Sequence, residues 1–154
     1  MKISELLNES LIKVGLESLE KEEVFEELID LLVRSGRVKD REAARKAIVE
    51  REEKQSTGIG RGVAIPHGKT ATIMELTGAL GIAKEGIEYD SLDGEPVQIV
   101  FLLLAEENNP GPHVEALAQI ATLFRIPGFI ERLIAAETAR EVYDTIAAEE
   151  EREE

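Results

Sequence analysis

The sequence predicts an α/β fold, helices packed on a sheet, in the order β-α-α-β-β-β-α-α-α. Three observations predict it. The run from Val97 to Ala105 is apolar with almost no alternation, as a strand covered on both faces reads. Apolar residues recur at helical spacing on either side of it, in residues 18–53 and again in residues 113–148. Between these blocks, glycine and proline cut the chain into short extended pieces.

Residues 11–16 alternate loosely and read as a short strand. Ser18 reads as the N-cap of the first helix, with Glu20, Glu22 and Glu23 favourably placed in its first turn. That helix runs to about Ser35-Gly36 and buries Val24, Leu28, Leu31 and Leu32. Asp40 caps a second helix over residues 41–53, whose stripe is Ala44, Ala47 and Ile48. Glycines make a loop of Ser56 to Gly62. Short strands follow near residues 63–65, 76–83 and 97–105, the last central. Asn108-Asn109-Pro110-Gly111-Pro112 is a firm break. Helices near 113–125, 127–136 and 138–148 complete a single domain of residues 1–148. Residues 149–154 are almost wholly acidic and read as a disordered, solvated tail.

Composition narrows the function. A chain of 154 residues, 43% of them hydrophobic, buries roughly 70% of its unfolded surface and needs no covalent staples. It has no cysteine, which excludes disulfides, thiolate zinc sites and cysteine nucleophiles. A net charge of −14 repels nucleic acid and steers basic partners toward the surface. The longest apolar run falls far short of the roughly 20 residues of a membrane span. Glu5 and Glu9 interrupt any signal-peptide core. The expectation is a cytoplasmic protein with no nucleic-acid partner and no membrane insertion.

The stretch Gly60-Arg61-Gly62-Val63-Ala64-Ile65-Pro66-His67-Gly68 carries one of only two histidines. Proline pushes Ile65 to extended geometry and glycine permits close approach. In an exposed Pro-His-Gly turn, the imidazole is either a nucleophile or a plain surface residue. Arg51 continues the stripe of the second helix and should face inward toward an anionic partner. If that helix ends earlier, Arg51 lies in solvent or pairs with a local glutamate. His113, in the first turn after Pro112, shares a face with Ala116, Leu117 and Ile120. The helix N-terminus disfavours its imidazolium form and favours an anion nearby; a capping role reads equally well. Together the three supply what a bound anion needs: a nucleophile, a cationic fork and a second imidazole.

These residues resemble the type-2 IIA domain of the bacterial phosphoenolpyruvate-dependent sugar phosphotransferase system, in its fructose/mannitol and nitrogen-regulatory branch. Glu52, Ile59, Gly60 and Val63-Ala64-Ile65-Pro66-His67-Gly68 fill every specified place of that family's signature. Arg51-Glu52, Ser56-Thr57-Gly58 and Pro112-His113 are similar to it as well. The resemblance implies a three-layer α/β/α fold with a mixed central sheet, and phosphorylation of His67 by HPr or a paralogue of it. Arg51 and His113 would hold the phosphoryl group, with no metal and no cofactor. In the sugar branch the group passes to a cysteine of a IIB component, here expected on a separate chain together with IIC. In the regulatory branch, phosphorylation controls binding to regulators or transporters.

Other chemistries fit poorly. Gly68-Lys69-Thr70 looks like the tail of a phosphate-binding loop, but the glycine that motif requires is replaced by Val63. Gly60-x-Gly62 is followed by Ile65 where a dinucleotide fingerprint needs its third glycine. A metal hydrolase would need a third ligand beside His67 and His113, and no closely spaced cluster offers one.

Overall fold

A computed structural model describes residues 1–153. Two 3-10 turns, Ile3–Glu5 and Glu9–Leu11, lead into β1 (Ile12–Val14). Helices α1 (Lys21–Arg34) and α2 (Arg41–Lys54) follow. Strands β2 (Gly58–Gly60), β3 (Val63–Ala64), β4 (His67–Thr70), β5 (Thr77–Ile87) and β6 (Val97–Glu106) come next. The chain closes with α3 (Gly111–Phe124), α4 (Phe129–Ala135) and α5 (Ala139–Arg152).

The sheet order is β1-β5-β6-β3-β2, with β4 also paired to β6. β5 and β6 are antiparallel, Leu80 opposite Phe101, while β1 runs parallel to β5. β3 and β4 run parallel to β6 in one constant register, Ala64 opposite Val100 and His67 opposite Leu103. Pro66 lies between them and needs no N–H there; its carbonyl accepts the Leu103 N–H at 2.9 Å. The sheet is therefore mixed. α1 and α2 pack on each other and on β5 and β4, while α3, α4 and α5 pack on β6, β5 and β1. Cover on both faces explains why Ile99 through Ala105 are all buried.

The helices and strands β1, β3, β5 and β6 fall where the sequence places them. Two short strands are added. β2 occupies part of the expected loop, joined to β3 by a turn with positive φ at Gly60, Arg61 and Gly62. Glycine at 60 and 62 accommodates that turn without a Cβ penalty. β4 begins at His67, so Pro66-His67-Gly68 is extended chain along β6 and not an exposed turn.

Two expectations are corrected. Ser18 is not the cap of α1: Glu20 holds that position without a side-chain bond, and the Ser18 N–H donates to Glu27 Oε1 at 2.6 Å. Asp40 does cap α2, accepting the Ala43 N–H at 3.0 Å. The acidic tail begins later than residue 149, because α5 continues to Arg152 and both Glu149 and Glu150 are 2% exposed. Glu150 accepts the N–H groups of Ile3 and Ser4 at 2.6 and 2.8 Å, and the Gln119 amide at 3.0 Å. Glu149 accepts from Arg132 and Arg152, both at 3.3 Å. A charge run reads as solvated only until donors elsewhere in the chain are known to meet it. Glu154 lies outside the described residues.

Candidate functional site

The site starts from a glycine. A Cβ on Gly68 would lie 2.8 Å from the Ala47 carbonyl carbon and oxygen and 3.0 Å from its Cβ. Only the absence of that atom lets α2 settle directly on β4. Arg51 lies one turn beyond Ala47 on the same helical face and so reaches the end of the sheet where β4 begins. From the other side, α3 starts at Gly111 and places His113 in its first turn, 5% exposed. A cleft of about 600 Å³ lies between these elements, and Arg51, His67 and His113 all line it.

The two imidazoles meet edge to face, with ring centroids 5.0 Å apart and planes at 86°. His67 Nδ1 lies 2.7 Å from the Ile65 carbonyl oxygen. A carbonyl only accepts, so this contact assigns the proton to Nδ1 and leaves the Nε2 lone pair free. Burial pushes the His67 pKa below its ordinary value near 6.5, and Arg51 and Lys69 push it the same way against the Ile65 bond and Glu52. The ring is therefore neutral at pH 7. His113 is pushed down to about 4, first by burial and then by His67 and Lys69. The sequence assigned that neutrality to the helix field, whereas desolvation is its main source. His113 Nδ1 is buried with no hydrogen-bond partner. The tautomer with its proton on Nε2 would present a donor at the cleft.

Arg51 resolves between its two sequence readings. α2 extends past it to Lys54, so it belongs to the helix, and it is half-buried at the cleft. Its Nη1 donates to the Gln55 carbonyl at 2.9 Å, and it forms no ion pair among the described residues. Sequence reasoning missed two further cations. Lys69 lies two residues beyond His67 on β4, hence on the same side of the strand, and Lys54 lies at the end of α2. Both line the cleft, and neither has a carboxylate partner among the described residues. Strand alternation would have found Lys69 had β4 been read as a strand. Arg51, Lys54 and Lys69, none of them ion-paired among the described residues, thus line the cleft beside two neutral imidazoles, with the carboxylates of Glu50 and Glu107 in the same lining. The unpaired cations suit a small anion.

Fold and cleft together define an α/β/α domain with paired histidines and three lysine or arginine side chains lining a depression at the start of β4. Residues 5–149 match the family described as "Phosphoenolpyruvate-dependent sugar phosphotransferase system, EIIA 2", and the chain belongs to that family. It is 42% identical over 146 residues to the PTS system fructose-specific EIIABC component of Bacillus subtilis, covering 95% of this chain. The chain spans only 23% of that relative's length. It is 36% identical to the PTS system fructose-specific EIIA component of Haloferax volcanii, covering 82% of each. Among solved structures, nitrogen regulatory protein IIA-Ntr from Neisseria meningitidis superposes with a TM-score of 0.86 at 36% identity, covering 94% of this chain and 98% of that one. No helix among the described residues is long and apolar enough to cross a membrane.

Proposed function

We propose that the chain is a phosphocarrier that accepts a phosphoryl group on His67 Nε2 from a histidine-phosphorylated HPr-type protein and passes it to a IIB component. The observation that carries this reading is the His67–Ile65 contact, which commits Nδ1 and frees Nε2 beside His113 and Arg51. In the transfer, a bond forms between phosphorus and Nε2 as the donor's phosphorus–nitrogen bond breaks, its electron pair returning to the donor ring. The proton stays on Nδ1 and is donated to the Ile65 carbonyl oxygen, which stabilises the positive charge that develops on the ring. Phosphoryl transfer through a loose transition state asks the protein mainly for positioning and charge. Arg51 has N–H groups left for two phosphoryl oxygens, and His113 Nε2–H can serve a third. The return step requires that the group not be held too tightly. A partly open cleft without a closed cage fits that requirement, and the donor and acceptor are cytoplasmic in this reading.

A second reading is favoured by the likeness to IIA-Ntr. In it the same phosphohistidine is a signal, and the phosphorylated and free forms differ in which regulator or transporter they bind. Both readings are tested by incubating the protein with phosphoenolpyruvate, enzyme I and HPr and measuring intact mass. Gain of one phosphoryl group, lost in His67→Ala, is expected; full labelling of His67→Ala refutes both. Passage of the label to a cysteine-bearing IIB component separates the carrier from the signal.

A further inference from the structure

We propose that a buried cluster of Glu52, Thr57 and Tyr89, closed by Lys21, is the device that positions Arg51 in the cleft. This rests on the phosphocarrier reading for its purpose, but its geometry is independent of it. Glu52 follows Arg51 in α2, so the helical turn sends one side chain to the cleft and the other inward, where Glu52 is 8% exposed. Glu52 Oε1 accepts from Thr57 Oγ1 at 2.5 Å and from the Tyr89 hydroxyl at 3.3 Å. Its Oε2 accepts the Thr57 N–H at 2.9 Å and Lys21 Nζ at 3.1 Å. The Thr57 and Tyr89 hydroxyls lie 2.8 Å apart, and Lys21 Nζ stands 4.7 Å from the centroid of the Tyr89 ring.

The consequence falls on residue 55. Glu52 grips both the backbone and the hydroxyl of Thr57, so the segment from 52 to 57 is closed into a fixed loop. Within it Gln55 is extended, and its carbonyl is the one hydrogen-bond partner of the Arg51 guanidinium among the described residues. The direction of that carbonyl, and with it the plane of the guanidinium, is set by the clamp. Stability alone does not call for such a cluster: apolar residues of similar volume hold a helix end as firmly as a buried ion pair does. Directional bonds add a unique orientation of the chain, which apolar contacts do not impose. Arg51 is thus held by one guanidinium nitrogen and keeps its remaining donors for the anion.

The test uses Thr57→Val and Tyr89→Phe, which remove hydrogen bonds but no charge. Transfer from phosphorylated HPr is expected to slow by roughly tenfold in Thr57→Val, the scale of a misplaced clamp. Combined with Arg51→Ala, Thr57→Val should add almost nothing, because both changes remove the same positioned fork. In NMR titrations without any donor, the His67 pKa should rise toward its ordinary value in Thr57→Val, since Arg51 no longer depresses it fully. Tyr89→Phe should shift both readouts the same way by less. Losses that multiply with Arg51→Ala, or an unmoved His67 titration in variants that remain folded, overturn the proposal. If the wild-type protein accepts no phosphoryl group, the phosphocarrier reading fails, while the titration still decides whether the cluster positions Arg51.

Discussion

Replacing Gly68 by alanine tests how the site is built. The new Cβ would meet the Ala47 carbonyl carbon and oxygen at 2.8 Å, and both are backbone atoms that cannot rotate away. Ordinary contact begins near 3.4 Å, so α2 and β4 must part by about 0.6 Å. Overpacking of this kind costs about 1–3 kcal/mol, offset in part by the ~0.4–1 kcal/mol that alanine gains through a less flexible unfolded chain. A net loss of about 1–2 kcal/mol is expected in urea unfolding. The functional loss should be larger in proportion, because Arg51 rides on the displaced helix. A shift approaching 1 Å can cost on the order of a hundredfold in rate, so a tenfold slowing of phosphoryl uptake from HPr is a conservative expectation. Gly111→Ala is the control: nothing lies within 4 Å of its added Cβ and its φ is not positive, so stability should hold or rise. Unchanged stability and uptake in Gly68→Ala would refute the claim that close packing of α2 on β4 sets the cleft.

Three further outcomes follow from the geometry. Arg51→Lys keeps the charge but loses the fork; forfeiting one charge-assisted bond of about 1.5–3 kcal/mol should slow transfer by roughly tenfold to a hundredfold, read by quenched-flow labelling. His113 has a folded-state pKa of about 4 against an ordinary value of 6.5, so between those values the unfolded chain binds more protons. Its contribution is fully present above pH 6.5 and is lost as pH falls, by roughly 3 kcal/mol near pH 4; the fall in urea-derived stability should be shallower in His113→Gln, and equal slopes would contradict the assignment. Glu150→Ala strips the N–H groups of Ile3 and Ser4 of their acceptor and should cost about 2–4 kcal/mol, whereas a solvated tail predicts no measurable change in the same melts.

The reach of the sequence is uneven for physical reasons. Helices α1, α2, α3 and α5 and strand β6 were legible because their apolar periodicity is long, and Asp40 was legible as a local cap. His67, Arg51 and His113 each had an ordinary alternative, yet the structure brings all three to one cleft. What was not legible depends on partners distant in the chain. β2 and β4 are too short and too rich in glycine for alternation to show, and their pairing is supplied by β3 and β6. Lys69 went unnoticed with β4. Glu52 binds Tyr89 across 37 positions and Glu150 binds Ile3 across 147, distances at which no local pattern speaks. Ser18 has the residue type of a cap, but α1 starts only at Lys21, and Glu27 in its second turn accepts the Ser18 N–H.

The central claim is that the Ile65 carbonyl holds Nδ1 of His67 and so makes Nε2 the atom that carries phosphorus. Its most direct measurement is a long-range proton–nitrogen NMR spectrum of protein labelled with nitrogen-15 at histidine, recorded before and after phosphorylation by enzyme I and HPr. The account predicts phosphorus coupling at Nε2 of His67, with Nδ1 protonated in both states. Coupling at Nδ1, coupling at His113, or no phosphorus on either ring would contradict it.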